Sequence, residues 1–250
     1  MSEKINIILA MIDRIVEILK NTKKLFILTG AGVSAESGIP TFRGKDGLWK
    51  NYSATDLATP EAFSRDPKLV WEWYRWRQEI ILKANPNFAH YAIVDLEKYF
   101  SGFLLLTQNV DNLHQRAGSR NVLELHSNIF LTRCLECNKV DKIENAQFNP
   151  LPHCKCGGLL RPDVVWFGES IPQEVWQESV KFLSSADTAI ICGTSGVVWP
   201  AAAIPEIAGN YGVKTIEVNL ESTPITPVVD VSILSPAGKI LPEIVEQLKK

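Results

Sequence analysis

Short, nearly unbroken apolar segments recur along this chain, and most end on a small or polar residue. KKLFILTG, GFLLLTQN, DTAIICGTS, VKTIEVNLE and VDVSIL read as strands, and NVLELHSNIFLTRC as one or two more. Strands without apolar–polar alternation are buried on both faces, the condition of a parallel sheet covered by helices. The stretches between them carry helical signals. INIILAMI continues with helical spacing through Ile15, Ile18 and Leu19 as an amphipathic first helix. DPKLVWEWYRWRQEIILKANP has Asp66 as cap, Pro67 in the first turn and Pro86 as stop. NFAHYAIVDLEKYF, PQEVWQESVKFLSSA and WPAAAIPEIAGNYG also read as helices, the last with Pro205 near a turn or kink. Ser235 is expected to cap the final helix, with Pro236 in its first turn. This alternation predicts an α/β fold with helices on both faces of the sheet.

In open sheets of this kind, ligands bind beyond the carboxyl ends of the strands. Thr29-Gly30, Thr107-Gln108-Asn109, Gly193-Thr194-Ser195 and Asn219-Leu220-Glu221 stand at such ends and outline one site. A chain of 250 residues suits one large domain with a smaller insertion. The net charge of −2 and the lack of a basic run argue against direct nucleic-acid binding. The apolar runs fall short of a membrane span. Asp13 and Arg14 follow INIILAMI at once, and it lacks a strongly positive leader, so a cytoplasmic protein is expected.

GAGVSA follows a strand and opens a helix, fitting G-x-G-x-x-G/A through Gly30, Gly32 and Ala35. Glycines let a backbone approach a pyrophosphate, and a helix start offers N–H groups to it. A tight strand-to-helix turn is the plainer reading. No acidic strand end follows about 20 residues later, as an ordinary dinucleotide fold requires. GIPTFRGKDGLW follows instead, either a flap over the ligand through Phe42, Arg43 and Trp49 or a loop whose aromatics plug the core.

Four of the five cysteines, Cys134, Cys137, Cys154 and Cys156, form C-x2-C-x16-C-x-C. Thiolates at this spacing can wrap one tetrahedral zinc of structural type. The single residue between Cys154 and Cys156 is unusual, and His153 is an alternative to Cys154. Cys192 lies in an apolar run and reads as a core thiol. TQNVDNLH and LELHS place Gln108, Asn109, Asp111 and His126 at or near strand ends, a grouping suited to proton abstraction. On the long helix, Val70, Trp73, Tyr74, Arg77, Ile80, Ile81 and Ala84 share one stripe. Arg77 is its only charge, and a buried guanidinium needs a partner.

Taken jointly, GAGVSAESGIPTFR, TQNVDNLH, LELH, CLEC with CKC, LRPDVVWFGE, GTS and EVNLE resemble the sirtuins, NAD-dependent protein-lysine deacylases, in family order from Gly30 to Ala237. The resemblance implies a Rossmann-like large part at about 1–40, 86–130 and 162–250. It implies a small part at about 41–85, a helical insertion and flap, and 131–161, a zinc ribbon. NAD as co-substrate would lie between them. Gly30, Ala31, Gly32, Ser34 and Glu36 match the phosphate turn, and Phe42, Arg43 and Trp49 the flap. Gln108, Asn109, Val110 and Asp111 match the ribose and nicotinamide pocket. Gly193, Thr194, Ser195, Asn219, Leu220, Glu221 and Ala237 match the adenosine side. Val164, Val165, Trp166 and Phe167 match the cleft where an acylated peptide adds as a strand.

The family mechanism implies attack of the acyl oxygen on the ribose as nicotinamide leaves. His126 then acts as general base on a ribose hydroxyl, with Asn109 and Asp111 beside it, giving free lysine and O-acyl-ADP-ribose. Tyr74 and Arg77 match the Tyr-x-x-Arg pair of sirtuins that remove succinyl and malonyl groups, which makes the carboxylate of a succinyl-lysine the expected partner of Arg77. Pairing with an internal acid is the alternative. Ser127 stands where the family has glycine; it is either strained, if φ is positive there, or adds a hydrogen bond. An ADP-ribosyltransferase sharing nicotinamide cleavage is the rival enzyme. A non-catalytic NAD-binding zinc-ribbon module and a hydride-transfer dehydrogenase are the further alternatives.

Overall fold

Six parallel strands form the sheet that the apolar segments predict, in the computed structural model, which describes residues 2–41, 52–142 and 151–250. They are β1 (Lys24–Thr29), β2 (Gly102–Thr107), β3 (Val122–Glu124), β7 (Thr188–Cys192), β8 (Lys214–Asn219) and β9 (Val231–Leu234). Their order is β3-β2-β1-β7-β8-β9. The chain runs outward from β1 in one direction and, after a long excursion, from β7 in the other. The strand order therefore reverses between β1 and β7, where a doubly wound sheet opens a crevice. β1 and β7 pair in register from Leu25↔Thr188 to Thr29↔Cys192, so Gly30 and Gly193 both leave the sheet at that crevice.

Alternate residues of each central strand serve opposite faces. Leu25, Ile27, Phe103, Leu105, Ile190, Ile216 and Val218 pack with α1 (Ser2–Lys20), α6 (Phe88–Tyr99) and α10 (Ala237–Leu248). Phe26, Leu28, Leu104, Leu106, Ala189 and Ile191 pack with α8 (Gln173–Leu183) and α9 (Ile204–Asn210). β7 is buried at every position, as its sequence without polar alternation predicts.

A third core joins the helices between β1 and β2 to residues near the cleft. The helices of this core are α3 (Ala54–Leu57), α4 (Pro60–Arg65) and α5 (Pro67–Lys83), whereas α2 (Ala31–Ala35) buries Val33 in the first core with α6. Leu57, Phe63, Trp71, Trp73 and Tyr74 pack there with Val110, Leu113, Ile129, Val164 and Trp166. Asp66 caps α5 by accepting from the Leu69 N–H at 3.0 Å, and Pro67 occupies its first turn, as expected. At its other end Arg116 of α7 (Leu113–Ala117) donates to the carbonyls of Ile81 and Ala84. A small antiparallel sheet has the order β5-β4-β6, with β4 (Ser127–Cys134), β5 (Val140–Lys142) and β6 (Leu160–Val164).

One capping expectation is corrected. Pro236, not Ser235, holds the N-cap position of α10, and no local side chain caps it. Ser235 is still tied to the sheet, its N–H donating to the Asn219 carbonyl at 2.6 Å. The acceptor for the first turn comes from afar: Glu36 Oε1 accepts the Gly238 N–H at 2.9 Å. In WPAAAIPEIAGNYG, a turn of 3-10 helix at Ala201–Ala203 leads into α9, and Pro205 sits in the first turn of that helix.

Candidate functional site

At the crevice the glycine turn is bound to the facing strand by main chain alone. Gly30 N–H donates to the Cys192 carbonyl at 3.0 Å and Gly32 N–H to the Gly193 carbonyl at 2.8 Å. A Cβ on either Gly30 or Gly32 would lie 2.8 Å from the Gly193 oxygen, closer than side-chain carbons approach carbonyls. Glycine is therefore needed for packing here, whatever binds. Ala31 opens the short α2, and Ser34 is buried within it. Glu36 sends its carboxylate to the start of α10. Phe42, Arg43 and Trp49 lie outside the described residues.

Beyond β2 the chain lines the crevice with polar side chains that hold one another. Gln108 Nε2 donates to Thr194 Oγ1 at 3.0 Å, and Asn109 Nδ2 donates to Ser34 Oγ at 3.0 Å. Val110 is buried, and its carbonyl accepts the Ile129 N–H at 3.0 Å. Asp111 is also buried, with Oδ1 accepting the Leu113 N–H at 2.9 Å. Burial pushes its carboxyl above the ordinary value, against hydrogen bonds from Ser34 and Leu113 and the charges of Arg77 and Arg116.

His126 sits between β3 and β4 with Nδ1 at 3.0 Å from the Gln108 carbonyl. A carbonyl only accepts, so the proton is on Nδ1 and Nε2 carries the lone pair. Burial lowers its pKa below the ordinary 6.5, with the bond to Gln108 opposing. A neutral, oriented imidazole with a basic Nε2 is what proton abstraction near pH 7 requires.

Both outcomes open for Ser127 occur together. Its φ is +61°, in the left-handed region. Its hydroxyl donates to Asp163 Oδ2 at 2.7 Å, while Arg133 Nε donates to Asp163 Oδ1 at 2.7 Å. The pairing of β4 with β6 shifts register between Ser127 and Thr132, and Asp163 spans that irregularity.

On the far side of β7, Asn219 Nδ2 donates to the Thr194 carbonyl at 2.7 Å. Gly193 and Ser195 are half-buried, Leu220 and Glu221 exposed, and Ala237 buried at the start of α10. The ends of β1, β2, β7 and β8 thus meet as the sequence predicts.

At the opposite wall, β6 runs into Val165, Trp166 and Phe167. Val164 is buried and Phe167 exposed. Val165 N–H donates to the His126 carbonyl at 3.1 Å, and Phe167 N–H to the Ala58 carbonyl at 2.9 Å. Trp166 Nε1 donates to the Tyr74 hydroxyl at 2.8 Å. Because the indole can only donate, the Tyr74 proton must point elsewhere. Burial raises the Tyr74 pKa to about 12. The Arg161 guanidinium lies 3.4 Å from the Trp166 ring centre and pairs with Glu169, which also accepts the Trp166 N–H. Arg161 and Glu169 stand at the ends of the LRPDVVWFGE stretch, which the sequence reading matched only for its Val164–Phe167 segment; the charge in that apolar strand is the signal that marks them.

Arg77 is half-buried, its guanidinium 5.2 Å from the centre of the Trp73 ring. Burial lowers its pKa, while Tyr74 and Asp111 favour the charged form. The stripe containing it is not the only buried face of α5. Trp71 and Gln78 are buried as well, donating to the carbonyls of Leu160 and Ile129.

The four clustered cysteines converge. Their sulfurs all lie within 4.8 Å of one another, with Cys134–Cys156 at 3.5 Å and Cys137–Cys154 at 3.7 Å. Sulfurs bound at zinc–thiolate distances in a tetrahedron are about 3.8 Å apart, so the set fits one such ion. Two tight turns bring them together: Asn138 N–H donates to the Cys134 carbonyl and Gly157 N–H to the Cys154 carbonyl. Gly157, at φ +91°, lets the one-residue spacing close. His153 is outside the group, with Nδ1 at 2.9 Å from the Leu151 carbonyl. Cys192 is buried in the main core. Among the described residues, no helix is long and apolar enough to cross a membrane.

Known proteins share this arrangement. A model of the Sir2 family matches residues 30–200. NAD-dependent protein deacylase 2 of Pyrobaculum aerophilum is 52% identical over 237 residues, spanning 94% of this chain and 95% of that one. NAD-dependent protein deacylase 1 of Archaeoglobus fulgidus is 49% identical over 240 residues, spanning 95% and 98%. A crystal structure of a Sir2 homologue in complex with NAD has a TM-score of 0.91 at 48% identity, over 95% of this chain and 93% of that one. A complex of Sir2 with a p53 peptide and NAD+ has a TM-score of 0.85 at 33% identity, over 94% and 97%.

Proposed function

We propose that this chain, which belongs to the Sir2 family, is an NAD-dependent protein deacylase that removes acetyl and succinyl groups from lysine side chains. The observation that carries this reading is His126: neutral, with Nδ1–H fixed on the carbonyl of Gln108, the residue before Asn109, and Nε2 left basic. The relatives' deacylase activity and the NAD complex of a solved homologue support the same assignment.

In this reading, NAD when bound supplies a ribose carbon from which nicotinamide departs. The glycine turn and Ser34 hold the phosphates, Gln108, Asn109, Val110 and Asp111 the nicotinamide ribose, and Thr194, Ser195, Asn219 and Ala237 the adenosine. His126 Nε2 takes the proton of a ribose hydroxyl. Val164 to Phe167 receive the substrate peptide by strand addition, so main-chain bonds give affinity with broad sequence tolerance. A relative's complex with a p53 peptide supports a protein substrate. Products are nicotinamide, free lysine and O-acyl-ADP-ribose. One zinc on Cys134, Cys137, Cys154 and Cys156 has a structural role. The cytoplasm is the proposed compartment, where cysteines stay reduced as a metal cluster requires.

Succinyl acceptance rests on Tyr74 and Arg77. The indole of Trp166 occupies a Tyr74 lone pair, which leaves the phenol proton to donate. A phenol donor beside a guanidinium suits a carboxylate. The competing role for Arg77 is to balance Asp111, whose charge also acts on it. A peptide carrying acetyl, propionyl, malonyl or succinyl lysine, assayed with NAD for nicotinamide release, separates these. Turnover of acetyl and propionyl alone leaves Arg77 in the second role. No nicotinamide release with any acyl group overturns the enzyme class.

A further inference from the structure

Among the described residues, three buried side-chain polar atoms have no hydrogen-bond partner: His90 Nε2, His114 Nδ1 and Ser119 Oγ. They belong to one neighbourhood, where α6 packs on α7 just after the polar loop from Gln108 to Asp111. The His90 and His114 rings have centroids 4.8 Å apart. Burial drives the pKa of both well down, His90 to about 4, so both are neutral.

Their partners fix the protons. His90 Nδ1 accepts the Asn87 N–H at 3.2 Å, so its proton is on Nε2. Thr29 Oγ1 gives its single proton to Thr107 Oγ1 at 2.9 Å. It must therefore accept from His114 Nε2, also at 2.9 Å, which leaves His114 Nδ1 bare. His90 thus carries a spare donor and His114 a spare acceptor, on adjacent rings. Thr107 Oγ1 also accepts the main-chain N–H of Asn109 at 3.1 Å. The Asn109 carboxamide then reaches Ser34. One line of hydrogen bonds runs from the buried imidazole of His114 through Thr29 and Thr107 to the cleft.

We propose that His114 is a positioning residue: acting through Thr29 and Thr107, it sets where Asn109 stands in the cleft. This deepens the proposed function and rests on the reading of Asn109 as part of the nicotinamide and ribose pocket. Filling space does not account for the imidazole. An aromatic or aliphatic side chain would fill the same volume without burying a polar nitrogen that lacks a partner. What such a side chain lacks is the Nε2–H that orients Thr29. Small displacements of positioning groups carry large rate penalties, so a line of short, directional bonds is where they would show.

The test uses the full chain, with NAD varied at saturating acetyl-lysine peptide and the peptide varied at saturating NAD, for Thr29→Val, His114→Phe, His114→Gln and Asn109→Ala. Thr29→Val is isosteric and breaks the line while keeping the packing. The expected result is a fall of about tenfold in kcat/KM for NAD in Thr29→Val and His114→Phe, with the peptide KM within about twofold of wild type. His114→Gln, whose amide N–H can replace Nε2–H, should recover most of the loss. Wild-type kcat/KM for NAD in Thr29→Val overturns the proposal. So does His114→Gln as impaired as His114→Phe at equal Tm. Wild-type behaviour of Asn109→Ala instead overturns the reading of the pocket, and the proposal with it.

Discussion

The two ends of the cleft are made of different material. At the nucleotide end, Gly30 and Gly32 meet Cys192 and Gly193 by main-chain bonds, and the glycines matter because nothing larger fits. At the proposed acyl end, Trp166 holds Tyr74, and Arg161 with Glu169 holds Trp166, side chain to side chain. A main-chain site is insensitive to most substitutions and abolished by a Cβ in the wrong place. A side-chain site is rewritten by single changes. In the proposed function, this difference suits a constant co-substrate at one end and a variable acyl group at the other.

Substitutions can break this contrast, and the largest effect belongs to the residue shared by both ends. His126→Ala should lower deacylation about a thousandfold while calorimetry shows NAD binding little changed. Full turnover would place the base elsewhere. Next, Arg77→Met should cost desuccinylation roughly fiftyfold and deacetylation far less, by removing one partner of a buried charge pair. Equal losses in competing-substrate assays would assign Arg77 to Asp111. Gly32→Ala should act on the other end, costing about 1–3 kcal/mol of stability through overpacking and raising the KM for NAD, with the succinyl-to-acetyl ratio unmoved.

A smaller effect is expected at Ser127. Glycine there would relieve a left-handed strain of about 1 kcal/mol but forfeit a hydrogen bond to a charged group worth roughly 1.5–3 kcal/mol. Ser127→Gly should therefore be destabilised slightly in urea unfolding, and Ser127→Ala more, since it keeps the strain and loses the bond. The opposite order of the two variants would mean that the left-handed strain is small, and a Ser127→Gly more stable than wild type would mean that the bond to Asp163 contributes little. The gentlest test is pH. Because burial holds His126 below 6.5, its basic form persists as pH falls through that value. The acid limb of kcat should lie lower still, and a limb above 6.5 would contradict a buried neutral imidazole.

The sheet was readable because buried parallel strands announce themselves in short apolar runs, and their polar ends marked the crevice. The cysteine cluster was readable as spacing. The helices Ala54–Leu57 and Pro60–Arg65 were not, being four and six residues long, too short for helical periodicity to emerge. Nor were the acyl-end contacts, since Trp166 and Tyr74 are 92 positions apart and bond only once two distant elements pack. Ser235 looked like a cap by local chemistry alone. Its attachment to Asn219 and the arrival of Glu36 at Gly238 are tertiary facts. Asp163 stood inside LRPDVVWFGE without any sign of its role, because that role comes from an irregular pairing of β4 with β6.

That carboxylate has a mechanical consequence. With one oxygen on Ser127 and the other on Arg133, Asp163 works as a rivet through both ends of an irregular stretch of β4. Ser127 adjoins His126, and Arg133 adjoins Cys134. A pull on the cysteine knuckle is therefore not absorbed by slippage of the strand. It passes along β4 to the backbone of His126, so the cysteine knuckle and the proposed base share one mechanical support.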